Sequence, residues 1–294
     1  DTAFFDKRAK FVHYRPRTVV LNNLEFDHAD IYKDMDAILW QFHQLLRMVP
    51  GDGQLLINGA DQNIAALLEM GCWTPVQTFG TNDDTDWVAR FGDKVERHIG
   101  VRSPSGRAAE TRWSMGGFHN LENALAAVAA AVTVGVAFEQ AVDALSRFEG
   151  VKRRMERTAT VADIAIYDDF AHHPTAIEKA IASMRSRYPG QRVIVAMEPR
   201  CNTMKMGCHN DTLAKSLSGA DLVWMYRPAD VGEDFDQSLA ALGAKLSMHD
   251  DYDVLVSDMS KKLLGGDQVV FMSNGGFGSA RQTLTALLQR TRGA

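Results

Sequence analysis

Ile164-Ala165-Ile166-Tyr167-Asp168-Asp169-Phe170-Ala171-His172-His173-Pro174 passes from four apolar residues into two carboxylates, two imidazoles and a proline. An apolar run without alternation reads as a strand covered on both faces, and proline is favoured in the first helical turn. The same pattern recurs downstream. Strand Val193–Met197, a helix after Asp211, strand Leu222–Tyr226, helices near Ser238 and Asp251, strand Val269–Met272 and a helix from Ser279 follow in order. Such βαβα repetition predicts an α/β domain with a doubly wound parallel sheet, whose ligands lie outside the carboxyl ends of the strands. Three unusual runs fall there: Asp168 to Pro174, Glu198-Pro199-Arg200-Cys201-Asn202, and Ser273-Asn274-Gly275-Gly276-Phe277-Gly278.

Upstream the pattern is less regular. A strand at Thr18–Leu21, a helix through Ile38–Val49 closed by Pro50-Gly51, and strands near Leu55–Ile57, Val76–Phe79 and Trp87–Arg97 are expected. Two helices follow, one from Asn120 through an alanine-rich stretch and one over Phe138–Phe148, with Gly150 beyond as a stop signal. The basic run Lys152-Arg153-Arg154-Met155-Glu156-Arg157 bridges to the second half, so the expected domains are 1–149 and 150–294.

The chain has 294 residues, 46% apolar and 23% charged, enough for two domains that each bury a core without disulfides or structural metal. Its 32 Lys and Arg against 37 Asp and Glu give a net charge of −5, so there is no general basic footprint for nucleic acid or anionic membrane. Cys72, Cys201 and Cys208 are odd in number and show no C-x-x-C spacing, which speaks against a disulfide framework or zinc ribbon and predicts a reducing compartment. The uncharged stretch Ala124 to Phe138 is shorter than the roughly 20 apolar residues of a membrane span. The chain starts at Asp1-Thr2-Ala3 with neither Met nor a signal-peptide pattern, and we expect it to lie within a longer protein.

Several clusters could carry chemistry. Asp27-His28-Ala29-Asp30 sets an imidazole among carboxylates beyond a strand, suited to a divalent metal or to acid–base work, or else to plain helix capping by Asp. Gly117-Phe118-His119-Asn120-Leu121-Glu122-Asn123 opens a helix whose first turn favours an anionic or heteroaromatic ligand, unless Asn120 is a simple N-cap. Arg153-Arg154 offers a guanidinium clamp for phosphate, or a solvated surface run. Asp168-Asp169 could accept ribose hydroxyls or hold a metal. Arg200 and Lys205, beside Asn202, could hold a carboxylate-bearing substrate, or merely cover the strand ends. Adjacent His172 and His173 point to opposite faces of an extended chain and lack H-E-x-x-H company, which disfavours zinc. No Gly-Lys dipeptide occurs, so there is no G-x-x-x-x-G-K-[ST] loop for nucleotide phosphates.

In order, Asn-x-x-x-Asp-His-x-Asp at Asn23 to Asp30, Gly-x-His-Asn-x-x-Asn at Gly117 to Asn123, Gly-x-x-x-Arg-x-Glu at Gly150 to Glu156 and Asp-Asp-x-x-His-His-Pro-Thr at Asp168 to Thr175 resemble the Mur ligase family. The resemblance implies that residues 1–149 are the later part of a central ATPase domain, the phosphate loop lying upstream, and that 150–294 are a Rossmann-like C-terminal domain. It implies an ATP- and Mg2+-dependent, cytoplasmic reaction of cell-wall synthesis and recycling. It further implies that UDP-N-acetylmuramate is activated at its lactyl carboxylate as an acyl phosphate, and that the amine of L-alanyl-γ-D-glutamyl-meso-diaminopimelate attacks it.

By the same resemblance His28 is the magnesium-associated histidine, and His119, Asn120 and Asn123 contact the nucleotide. Arg154 reaches the ATP phosphates and Asp169 binds ribose across the domain cleft. Arg200, Asn202 and Lys205 receive the acceptor peptide. The resemblance further implies that this chain alone is inactive. Several family members carry a carbamylated lysine after the Asp-His-x-Asp run; Gln41-Phe42 stand near that spacing here, and Lys33 comes too early. Two other classes fit the residues: a non-catalytic peptide- or nucleotide-binding module of the same fold, and a metal hydrolase using His28 and His172.

Overall fold

Central strands buried on both faces build both halves of the molecule. In the computed structural model, which describes residues 9–29, 31–94, 96–200, 204 and 206–292, the chain divides into two compact units, Asp1–Glu149 and Gly150–Ala294. The first has a six-stranded sheet in sequence order: β1 (Thr18–Leu21), β2 (Gln54–Asn58), β3 (Val76–Gly80), β4 (Trp87–Phe91), β5 (His98–Arg102) and β6 (Ala108–Arg112). β1 to β4 pair in parallel, whereas β4, β5 and β6 form an antiparallel meander. Only the first half of the expected strand Trp87–Arg97 is a strand, β4; the chain then turns at Gly92, whose N–H donates to His98 O at 2.8 Å, into β5.

Helices α1 (Met35–Leu46) and α2 (Gln62–Glu69) cover one face, where Leu55 and Ile57 of β2 meet Leu45, Leu46, Ile64 and Leu67. Leu56, between them, turns to the other face, against Leu121 and Leu125 of α3 (Phe118–Thr133), with α4 (Phe138–Ala144) beside it. Period-2 alternation thus serves two helical layers at once. Asp34 and Asp61 cap α1 and α2 by accepting from Ala37 N and Ile64 N, both at 2.9 Å, as N-cap carboxylates do. The first helix thus begins at Met35, not near Ile38, because its cap sets the start.

The second unit has strands β7 (Glu156–Val161), β8 (Ile164–Asp169), β9 (Val193–Met197), β10 (Leu222–Tyr226), β11 (Leu246–His249) and β12 (Gln268–Met272), in spatial order β11-β10-β9-β12-β8-β7. All pairs are parallel except β7–β8. Helices α5 (Pro174–Arg187) and α6 (Asn210–Leu217) cover one face, whose core includes Ile177, Val195, Leu213 and Val270. Helices α8 (Tyr252–Lys262) and α9 (Ala280–Arg292) cover the other, over Ile166, Ile194, Trp224 and Phe271; the short α7 (Glu233–Ser238) precedes them. The fold is α/β, with a doubly wound sheet in the second unit. β12, last in sequence, lies between β8 and β9, so the carboxyl ends of these three strands converge. Among the described residues, no helix is long and apolar enough to cross a membrane.

Candidate functional site

In the first unit the loop after β1 is fixed by polar side chains. Asp61, while capping α2, also accepts from Leu24 N at 3.0 Å, and Asn63 donates to Leu24 O at 2.7 Å. Asn22 donates to Asn123 Oδ1 at 3.1 Å, joining the end of β1 to the second turn of α3. The two runs singled out in this half are thereby held side by side. His28 is exposed, with φ at +56°, and its N–H donates to Asp27 Oδ1 at 2.7 Å. Asp27 therefore shapes a turn and caps no helix. Asp30 lies outside the described residues.

At the start of α3 the N-cap is Gly117, with φ at +92°, and Asn120 donates to Gly116 O at 2.8 Å, so Asn120 is not the cap. Sequence reasoning missed Glu96. Its buried carboxylate accepts from Gly117 N at 2.5 Å, placing a negative charge at the positive end of the helix dipole. An anion at this helix start would meet that carboxylate, whereas a neutral heteroaromatic ring beside His119, Asn120 and the exposed Phe118 would not.

In the second unit Arg153 and Arg154, taken together in the sequence, have different surroundings. Arg153 is half-buried; it donates to Ser273 O at 2.7 Å and to Gly275 O, and its Nε lies 3.5 Å from Asp168 Oδ2. Arg281 also pairs with Asp168. Arg154 is exposed. Phe170 lies beneath both guanidinium groups, with centroid distances of 5.1 Å to Arg153 and 5.2 Å to Arg154. Arg153 and Met155 flank Arg154 at φ +59° and +50°, a left-handed conformation costly without glycine.

Asp169 holds this turn together. It is 7% exposed; Oδ2 accepts from Met155 N at 2.6 Å and Oδ1 from Ala171 N at 2.8 Å. Burial pushes its carboxyl above the ordinary value, against those two backbone donors and Arg154. His172 is turned back to its own loop, Nδ1 lying 2.9 Å from Phe170 O. His173 packs edge-on to His209.

At the ends of β9 and β12, Arg200 is exposed and its side chain lies along Gly275: a Cβ there would fall 2.7 Å from Nη1 and 2.9 Å from Nε. Asn202 and Lys205 lie outside the described residues. Among the described residues, no group of three or more His, Cys, Asp and Glu is placed to hold a metal ion.

The description "Mur ligase middle domain" matches residues 4–131, and "Mur ligase, glutamate ligase domain" matches residues 153–275. The chain belongs to the Mur ligase family. Similar members include the UDP-N-acetylmuramate–L-alanyl-γ-D-glutamyl-meso-2,6-diaminoheptandioate ligase of Escherichia coli (strain K12), 43% identical over 296 residues. The ligase of the same name from Haemophilus influenzae is 41% identical over 285 residues. Each match covers 97% of this chain and 62% of the relative, so the chain spans less than two thirds of the length of these Mur ligases. The crystal structure of a murein peptide ligase from Psychrobacter arcticus 273-4 superposes with a TM-score of 0.74 at 41% identity, covering 98% of this chain and 61% of that one.

Proposed function

We propose that the protein carrying this sequence is an ADP-forming ligase that joins L-alanyl-γ-D-glutamyl-meso-diaminopimelate to UDP-N-acetylmuramate in cytoplasmic peptidoglycan recycling. The observation that carries this reading is identity above 40%, across almost the whole chain, to relatives named for that reaction. Residues 1–149 are then the later part of the ATPase domain and 150–294 the C-terminal domain.

The chemistry explains the need for a nucleotide. A carboxylate is a poor electrophile at neutral pH. Transfer of the terminal phosphoryl group of ATP to the lactyl carboxylate oxygen releases ADP and leaves a carbonyl carbon with a good leaving group. The alanine amine attacks that carbon, the C–O bond to phosphate breaks, and the amine proton passes to solvent or a base. Catalysis of this kind rests on positioning and on charge stabilisation.

His119, Asn120 and Asn123 are assigned to the nucleotide base, consistent with the carboxylate of Glu96 at the same helix start. Arg154 is assigned to phosphate, being the exposed member of its pair, and Asp169, which holds the linker turn, is assigned to the ribose. The nucleotide's Mg2+ needs only one or two protein ligands besides phosphate oxygens and water, and exposed His28 can supply one without a three-residue cage. When bound, the ion would neutralise developing phosphate charge. Arg200, Asn202 and Lys205 are assigned to the carboxylates of the acceptor peptide.

Calorimetric titration of this chain with the diaminopimelate tripeptide, its lysine analogue and an Arg200→Ala variant tests the assignment. Binding that favours diaminopimelate and weakens at least about tenfold in the variant is expected for loss of a charged hydrogen bond. An affinity unchanged in the variant would remove Arg200 from the site. The chain contains no G-x-x-x-x-G-K-[ST] loop, so phosphoryl transfer by this chain alone should be undetectable. Turnover by highly purified chain would contradict that.

A further inference from the structure

Glu198 is the one acidic side chain in the Glu198-Pro199-Arg200 run, and it is almost wholly buried, at 4% exposure. A buried carboxylate needs donors to remain in place. Three converge on it, one from the start of α8 and two from the turn after β12. Tyr252 OH, in the first turn of α8, donates to Oε1 at 2.5 Å, while Ser273 OH, just past β12, donates to Oε2 at 2.5 Å and Phe277 N at 3.1 Å. The Glu198 backbone N–H donates to Met272 O at 3.1 Å, extending the pairing of β9 with β12 by one residue.

The turn at Ser273 to Gly278 is thus hung on this carboxylate. Ser273 Oγ also accepts from Gly275 N at 2.9 Å, fixing the glycine against which Arg200 lies. Phe277 and Gly278 follow at φ +51° and +54°, and a Cβ at Gly278 would fall 2.9 Å from the Tyr252 ring. Tyr252 is itself stacked on Tyr226, with centroids 4.1 Å and planes 14° apart. Burial, then the bond to Glu198, hold its phenol well above its ordinary range, so Tyr252 is a constant donor at neutral pH.

We propose that Glu198 is a positioning residue for acceptor recognition: it pins the glycine turn to the end of β9 and thereby fixes the guanidinium of Arg200 against Gly275. The inference rests on the assignment of Arg200 to the acceptor carboxylates. It adds that Gly275 is a specificity determinant, because any side chain there moves Arg200 while leaving the core intact. The carboxylate that separates diaminopimelate from lysine would be read by an arginine held in one place, not by a mobile surface cation.

Two readouts on this chain test it: nitrogen relaxation at the Arg200 Nε–H group in the unliganded protein, and calorimetric affinities for the diaminopimelate and lysine tripeptides. The variants are Glu198→Gln, Gly275→Ala and Tyr252→Phe, with the remote core truncation Leu213→Ala as a control for general destabilisation. In the parent chain Arg200 Nε should be ordered. In Glu198→Gln and Gly275→Ala it should become as mobile as an ordinary surface arginine, the diaminopimelate peptide should bind about tenfold more weakly, and its advantage over the lysine peptide should vanish. Leu213→Ala should lower the melting temperature and change neither readout. If Glu198→Gln fails to fold, Tyr252→Phe, which removes one donor to Glu198 and should loosen Arg200 in the same sense, still decides. An Arg200 that is mobile in the parent, or equally ordered in the variants, would overturn the proposal. If the parent binds neither peptide, the acceptor assignment fails instead, and the relaxation data still show whether Glu198 fixes Arg200.

Discussion

Phe170 lies under two guanidinium groups, but the two arginines should not respond alike to truncation. Arg153→Ala leaves the carbonyls of Ser273 and Gly275 without their donor and Asp168 with one cation fewer, so a loss of about 1–3 kcal/mol in urea denaturation is expected. Arg154→Ala gives up an exposed stacking contact and should cost less than about 1 kcal/mol. Asp169 adds a pH dependence of definite sign. Its folded carboxyl keeps a proton to higher pH than in the unfolded chain, where the ordinary value is 3.8. Its contribution to stability is therefore greatest below that value and declines as pH rises through the folded value. Asp169→Asn has no such proton to lose, so the stability of the parent relative to the variant should fall across that window and be flat above it. Denaturant midpoints measured from pH 3 to 7 check this. The motif resemblance singled out Arg154 and Asp169 within their pairs, but the structural roles of Arg153, Asp168 and Asp169 in holding the turn were not legible in the sequence; burial and partners supply them.

Helix α3 is the element on which the nucleotide assignment stands, and its inner face holds it in place. Leu121 and Leu125 are fully buried against the sheet, so Leu121→Ala should cost about 2–5 kcal/mol, measured by thermal or urea unfolding. The long buried elements of both units were readable from sequence because continuous apolar runs and alanine-rich stretches leave few alternatives. The elements that escaped are short or lie at sheet edges. β6 reads Ala-Ala-Glu-Thr-Arg and β7 Glu-Arg-Thr-Ala-Thr-Val, both at sheet edges with mostly open side chains, and α2 is only eight residues long. At the candidate site, the polar runs were visible as motifs. Glu96 was not, and Glu198 stood in one of those runs without its role showing, because a lone glutamate acquires meaning only from donors brought to it by distant segments.

Each unit carries cores on both faces of its own sheet. Residues 150–294 expressed alone should therefore unfold in one cooperative transition, as judged by coincident far-ultraviolet and tryptophan signals; non-coincident transitions would show that the unit depends on residues outside it. The position of β12 has a consequence for how this unit is made. The strand that completes the middle of the sheet is translated last, so β8 and β9 leave the ribosome with their facing edges unpaired until residues 268–272 have been synthesised. Open edges of apolar strands invite pairing with other chains. A nonsense codon shortly before Gln268 should accordingly give an aggregating product held by chaperones, whereas one just after Arg290, which leaves β12 in place, should give a product that still completes its sheet.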